Sequence, residues 1–291
     1  MAEKICVFGP GLVGILLQSQ GGGPLANAPA VLLWNVGMNH RVGPYRFYVD
    51  LARRIASHAG TVLRFDVSGL GDSELQPGRG SDLERAQLDV QEAMKLLEQR
   101  SGIRQFIVVG FCSSVDAAHQ LAVNDPRVVG VVYVEGYAYR TPGFYAQIYK
   151  RYLSLRHWER YLIAKRERIA GLVTSLVSQE KGAKQGSPGA TYREPVFARD
   201  YPTREQFRDD VATLVRRGVK LLFLYVGGDT DYLYKGQFEE MYGSPDTRGK
   251  VDVVFFEHAD HTFVRGADRE RAIQAIVDWT RNRFGTSANA P

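Results

Sequence analysis

Short apolar runs alternate with longer stretches in which apolar positions recur every three or four residues. The short runs are Val31–Val36, Thr61–Asp66, Gln105–Val109, Val128–Val134, Lys220–Val226 and Val251–Phe256. Their length and near-continuous apolar character predict strands buried on both faces. Between them, a helix is expected from about Tyr45 to His58, closed by Gly60. Ser81-Asp82-Leu83-Glu84 reads as a capping box, and Leu83, Ala86, Val90, Met94 and Leu97 then repeat at helical spacing. A helix over Val115–Ala122 and a closing amphipathic helix over Ala267–Phe284, with Ile273, Val277 and Phe284 inward, complete the pattern. Strands with intervening helices predict an α/β fold built on a mostly parallel sheet.

The N-terminus breaks this rhythm. Residues 5–17 resemble the apolar core of a secretory signal, with Ala26-Asn27-Ala28 as a small-residue cut. Three glycines and a proline interrupt the run, and Glu3 offsets Lys4 ahead of it, so export is not expected. Gly9-Pro10-Gly11-Leu12-Val13-Gly14 is a literal GxGxxG. A dinucleotide site needs that loop to open a helix and an acidic residue about 20 positions on. Gly21-Gly22-Gly23-Pro24 stops any helix, and no acid occurs between Glu3 and Asp50. A β-hairpin, with strands 4–8 and 12–18 turning at Pro10-Gly11, is the better expectation.

A second interruption runs from Gly136 to about Pro202, where no strand-like run occurs but aromatic and basic residues are dense. It divides the chain into a core of residues 1–135 and 203–291 and an inserted helical cap, 136–202, over the carboxyl edge of the sheet. Ligands bind at that edge in open α/β sheets. Charge concentrates in the same insertion. The chain of 291 residues carries a net +5, while Lys150–Lys184 alone holds nine basic residues against three acidic ones, a net of +6. Such a patch is either a solvated helix face or an attractor of an anionic partner. At 44% apolar residues the chain is globular rather than disordered. Two cysteines, Cys6 and Cys112, cannot form a disulfide framework, and no Cys/His cluster has zinc spacing, so no metal or cofactor is expected. No stretch is long enough for a membrane span.

The chemistry concentrates at strand ends. Gln105–Val109 runs into Gly110-Phe111-Cys112-Ser113-Ser114 and then a helix, the strand–turn–helix context of a nucleophile elbow with Cys112 in the reactive slot. The register on Ser113 would place Phe111 where a small residue belongs. The plain alternative is a buried, inert thiol. Two further strands end in candidate partners: Lys220–Val226 leads to Asp229 and Asp231, and Val251–Phe256 leads to His258, Asp260 and His261. Nucleophile, acid and histidine in that order allow His261 to take the Cys112 proton while Asp229 fixes its tautomer. Asp231 is the alternative acid, and the plain alternative for Asp229 is a turn former. His258 and Asp260 are expected to shape the loop.

With these residues in place, the sequence resembles the α/β-hydrolase superfamily over about residues 4 to 284. Asp66-Val67-Ser68-Gly69-Leu70-Gly71-Asp72-Ser73 matches its DxxGxGxS turn, and Asn35–Pro44 lies where its oxyanion loop follows a strand. The cysteine elbow is similar to that of dienelactone hydrolases and polyhydroxyalkanoate synthases. The whole pattern, with the Tyr/Arg/Trp-rich stretch around Arg151–Trp158, most resembles the hydrolases associated with exosortase systems. Ser114 stands in place of the usual last glycine of the elbow, and the oxyanion strand ends in Asn-Val-Gly rather than His-Gly.

The resemblance implies an α/β-hydrolase fold with an N-terminal hairpin and a cap. It also implies an oxyanion hole from the backbone N–H groups of Met38 and Ser113. The function expected first is hydrolysis of an ester or thioester through an acyl-Cys112 intermediate. Acyl transfer or cyclisation on the same triad is the alternative, and a non-catalytic binding protein of this fold is a third reading. The expected partner is a small acyl substrate, with coenzyme A or an acyl-carrier protein as anionic carriers that suit the basic segment. Nucleic acid is not expected, and the expected location is cytoplasmic.

Overall fold

The computed structural model describes residues 2–18, 28–58, 60–76, 80–153, 201–228, 231–243 and 250–285. Among the described residues, eight strands form one sheet: β1 Ala2–Phe8, β2 Leu12–Gln18, β3 Ala30–Leu33, β4 Val62–Phe65, β5 Phe106–Phe111, β6 Val128–Val134, β7 Lys220–Val226 and β8 Val251–Phe256. Their spatial order is β1-β2-β4-β3-β5-β6-β7-β8. The β1–β2 hairpin is antiparallel, as its glycine-rich turn predicts, and joins β4 antiparallel. Every pairing from β4 through β8 is parallel.

The described helices are α1 Phe47–Ser57, α2 Asp82–Ser101, α3 Ser114–Asn124, α4 Pro142–Leu153, α5 Arg204–Arg216, α6 Gln237–Tyr242 and α7 Gly266–Phe284. A single 3-10 turn, Pro44–Arg46, precedes α1. It displaces the expected start of that helix, because Tyr45 and Arg46 both adopt left-handed backbone conformations. Ser81 caps α2 through the reciprocal bonds with Glu84 that the sequence predicts. Thr203 and Gln206 cap α5 in the same way.

Two apolar cores lie on opposite faces of the sheet. One is built with α2, α3, α5 and α6 and contains Trp34, Phe65, Met94, Phe207 and Phe223. The other is built with α1 and α7 and contains Phe47, Leu51, Phe111, Ile276 and Trp279. Within the first, buried His119 of α3 bonds Tyr133 Oη at 3.1 Å and Asp210 of α5 at 3.0 Å, which fixes the helix behind the elbow.

The strand order places the site. β3 lies between β4 and β5, so the chain reverses its direction of travel across the sheet at the β3–β5 boundary, where a crevice opens at the carboxyl edge. Register brings Leu33 opposite Val109, Phe111 opposite Val134 and Val226 opposite Phe256. The loops after β3, β5, β6, β7 and β8 therefore emerge side by side. The inserted segment is rooted at the same edge. Tyr139 Oη donates to the Pro202 carbonyl at 2.6 Å, closing its base. Thr141 Oγ1 and the Gly143 N–H donate to the Glu240 carboxylate of α6 at 2.7 and 3.1 Å. Of the expected cap, α4 and these roots are described; most of Lys150–Lys184 lies outside the described residues.

Candidate active site

The elbow is built by close packing. A side chain at Gly110 would bring its Cβ within 2.6 Å of the Val115 Cα, so only glycine lets β5 and α3 pass this closely. Cys112 is then forced to φ +53°. A non-glycine residue held there costs about 1–3 kcal/mol and persists only where its surroundings over-determine it. They do here. The Cys112 N–H donates to the Val134 carbonyl at 2.9 Å, and its own carbonyl accepts the Val115 N–H at 3.1 Å. Ser114, in the place of the usual glycine, accepts the Phe111 N–H at 2.7 Å and donates to the Phe111 carbonyl at 2.9 Å. This hydroxyl clamps the turn from inside. Cys112 sits just ahead of Ser113, the N-cap of α3, where the free N–H groups and the helix dipole favour a thiolate.

Backbone strain marks the rest of the site. Among the described residues, the non-glycine residues with positive φ are Tyr45, Arg46, Cys112, Glu135 and Phe263. Cys112, Glu135 and Phe263 follow β5, β6 and β8 at the carboxyl edge, whereas Tyr45 and Arg46 form the 3-10 turn ahead of α1. Phe263 is fully buried against the rings of Phe47, Phe111 and Phe256, which pins the loop after β8. Asp260 holds the same loop by accepting the N–H groups of Thr262 and Val264 at 3.0 Å each, the loop-shaping role its position suggests.

His261 is positioned between two partners. It hydrogen-bonds Cys112, and its Nδ1 lies 3.1 Å from Glu135 Oε2. The Cys112 contact, then the Glu135 contact, push the His261 imidazole up to about 10, against the opposing effect of burial. Glu135 is buried, with a side chain 4% exposed, and its other oxygen accepts the Val226 N–H at 2.6 Å. Burial pushes this carboxyl up, although its bonds to His261 and Val226 oppose the shift. Both contacts favour the protonated imidazole, which places a positive charge beside the Cys112 sulfur.

The carboxylate beside His261 is one that the sequence reading did not name. Asp229 lies outside the described residues. Asp231, the alternative, does not face His261: its carboxylate accepts the Arg140 Nε–H at 2.9 Å, and both side chains are about half exposed. The carboxylate at His261 is Glu135, the residue after β6. An acid directly following a parallel strand was visible in Tyr133-Val134-Glu135-Gly136. It follows the same positional logic that singled out Asp229, but one strand earlier.

The loop after β3 faces the elbow. The Gly37 N–H donates to Ser113 Oγ at 2.9 Å, with Gly37 at φ +53°. That commits the Gly37 N–H and leaves the next one, Met38, on the same loop as the expected oxyanion donor. The Met38 side chain is exposed. The loop is anchored from behind by Asp66 of the DxxGxGxS turn. Asp66 is fully buried and accepts the Asn35 side-chain N–H at 2.9 Å and the Arg41 N–H at 2.7 Å. The Arg41 guanidinium lies between Asp66 and Asp72 and bonds both. Ser73 closes the turn, donating to the Asp66 carbonyl at 2.6 Å and accepting the Val13 N–H at 2.9 Å.

This arrangement sets a pH-dependent expectation. Because the nearby N-terminus of α3 and the contact with the His261 imidazole both favour a thiolate, Cys112 should be alkylated rapidly by iodoacetamide at neutral pH, with little further gain toward pH 9. In His261→Ala, the rate should instead climb through the ordinary thiol range near about 8.5. Cys6 is buried, and burial pushes its thiol up. It should label slowly in both proteins. Peptide mapping after timed labelling reads all three rates.

No family model matches the sequence, and no curated protein matches it. Solved structures do match. The esterase domain of a Rhodothermus marinus protein superposes with a TM-score of 0.54 at 17% identity, covering 97% of this chain and 99% of that one. A Pyrococcus furiosus esterase gives 0.56 at 12% identity, with 97% and 91% covered. A Xanthomonas campestris α/β serine hydrolase without a lid gives 0.53 at 10% identity, with 100% and 98% covered. These likenesses cover nearly the whole chain: it has the α/β-hydrolase fold.

Proposed function

We propose that this chain is a cysteine-dependent hydrolase of esters or thioesters, with Cys112 as nucleophile, His261 as acid and base, and Glu135 orienting His261. The observation that carries the reading is His261 bonded at once to Cys112 and to a buried carboxylate. Binding alone requires neither partner. In the first step the Cys112 sulfur attacks the carbonyl carbon, and the displaced electron pair forms an oxyanion held by the Met38 and Ser113 N–H groups. Each such donor is worth about 10²–10³ in rate. Collapse of that intermediate breaks the bond to the leaving alcohol or thiol, which takes the proton from His261. His261 then removes a proton from water, the hydroxide oxygen attacks the thioester carbonyl, and the acid departs as the Cys112 thiolate returns. An amine or thiol in place of water gives acyl transfer on the same residues.

In this reading residues 136–202 form the cap, and its net +6 segment draws in an acyl group carried on coenzyme A or an acyl-carrier protein. The test compares turnover of a neutral short-chain ester with that of an acyl-coenzyme A at low and high salt. Both should be hydrolysed. Only the charged substrate should show a Michaelis constant that rises with salt, because attraction over a Debye length of about 10 Å is screened. Equal salt response for both would remove the anionic carrier. Absence of turnover with either would remove the hydrolase.

A further inference from the structure

Ser113 stands at the N-cap of α3, where a serine hydroxyl ordinarily accepts an N–H from the first turn of its own helix. It makes no such bond. Its oxygen is turned across the crevice and accepts the Gly37 N–H at 2.9 Å. The two strands behind these residues are neighbours in the sheet, but the expected oxyanion donors, the Met38 and Ser113 N–H groups, belong to separate loops. Donors contribute to a transition state only if both are already aimed at one point. Asp66 holds the β3 loop from behind, through Asn35 and Arg41. The front of the loop is held by Ser113.

We propose that the Ser113 side chain is a positioning group. By accepting the Gly37 N–H it fixes the loop after β3 against the elbow, so that the Met38 and Ser113 N–H groups converge on one oxyanion. This deepens the proposed function and rests on it for its catalytic consequence, but the tether itself is a separate structural fact. The residue thus has two roles in one hole, its N–H as donor and its hydroxyl as the strut that aligns the other donor. Binding of substrate does not depend on the strut, so its loss should appear in kcat rather than in the Michaelis constant.

The test compares two reactions of Cys112 that differ in one respect. Alkylation by iodoacetamide forms no oxyanion, whereas acylation by p-nitrophenyl acetate does. In Ser113→Ala, acylation should slow by at least about tenfold, a fraction of what losing a whole donor costs, while alkylation stays unchanged. Ser113→Thr should restore acylation, and the isosteric Ser113→Val should not, a pair that holds even if the alanine variant fails to fold. The Gly37 amide should exchange its hydrogen faster in the alanine and valine variants. Wild-type acylation rates in Ser113→Ala and Ser113→Val, a parallel loss of alkylation and acylation, or unchanged Gly37 protection would each overturn the proposal. Failure of the wild-type protein to be acylated would instead remove the hydrolase reading, and amide exchange at Gly37 would still decide the tether.

Discussion

Replacing Glu135 with glutamine should lower turnover by two to four orders of magnitude, while Asp231→Asn leaves it nearly unchanged. The expected size follows from the hydrogen bonds that Glu135 makes. One oxygen accepts the Val226 N–H at 2.6 Å and the other accepts from His261 Nδ1 at 3.1 Å. A glutamine has only one acceptor for these two donors. If its oxygen stays with Val226, its amide N–H groups face His261 and force the tautomer that carries the proton on Nε2. That imidazole cannot take a proton from Cys112, and a wrong tautomer of this kind costs about 10⁴ in a triad. If the amide flips, the buried Val226 N–H loses its partner at about 1–3 kcal/mol. Asp231 bonds Arg140 at the surface and touches none of this. Steady-state rates of Glu135→Gln, Asp231→Asn and Asp229→Asn, measured together, rank the three acids. A severe loss in Asp229→Asn with little change in Glu135→Gln would return the acid to the loop after β7.

The parts of this fold that were legible in the sequence are those fixed by neighbours along the chain. The capping box at Ser81 and Glu84, the turn at Pro10-Gly11 and the tight passage at Gly110 each depend on residues within a few positions of one another. The elbow followed because a strand, a cysteine and a helix are contiguous in sequence. The carboxylate beside His261 was not legible in that way. Glu135 follows a parallel strand, and its contact with His261 depends on side-chain reach across strand ends that the sequence does not encode locally. The same holds for Ser113. Its backbone role could be read from its place beside Cys112, but the direction of its hydroxyl depends on Gly37, 76 positions away. Helix α6, at six residues, is too short for its period to be recognised. Tyr45 and Arg46 adopt left-handed backbone that nothing in their side chains announces. Thr203 and Gln206 carried a readable capping signal, and α5 begins there.

Cys112→Ala should abolish turnover and leave the protein folded. Alanine keeps the Cβ, so the backbone at φ +53° bears the same strain, and the clamp of Ser114 on Phe111 does not involve the sulfur. What is lost is the nucleophile and the negative partner of His261. Without that partner the imidazole should fall from about 10, while the contact with Glu135 still holds it up, a shift readable by NMR titration of the ring. The loss of rate should therefore be complete while thermal unfolding remains cooperative. Residual turnover close to wild type would mean that Cys112 is a bystander and that water is activated directly.

The covalent intermediate separates these outcomes most directly. Intact-protein mass spectrometry, after brief incubation with an acyl thioester and acid quench, should show wild-type protein carrying one acyl group, mapped to Cys112. The adduct should decay as free acid accumulates, and Cys112→Ala should carry none. Turnover without any adduct, or an adduct that persists in Cys112→Ala, would contradict the account.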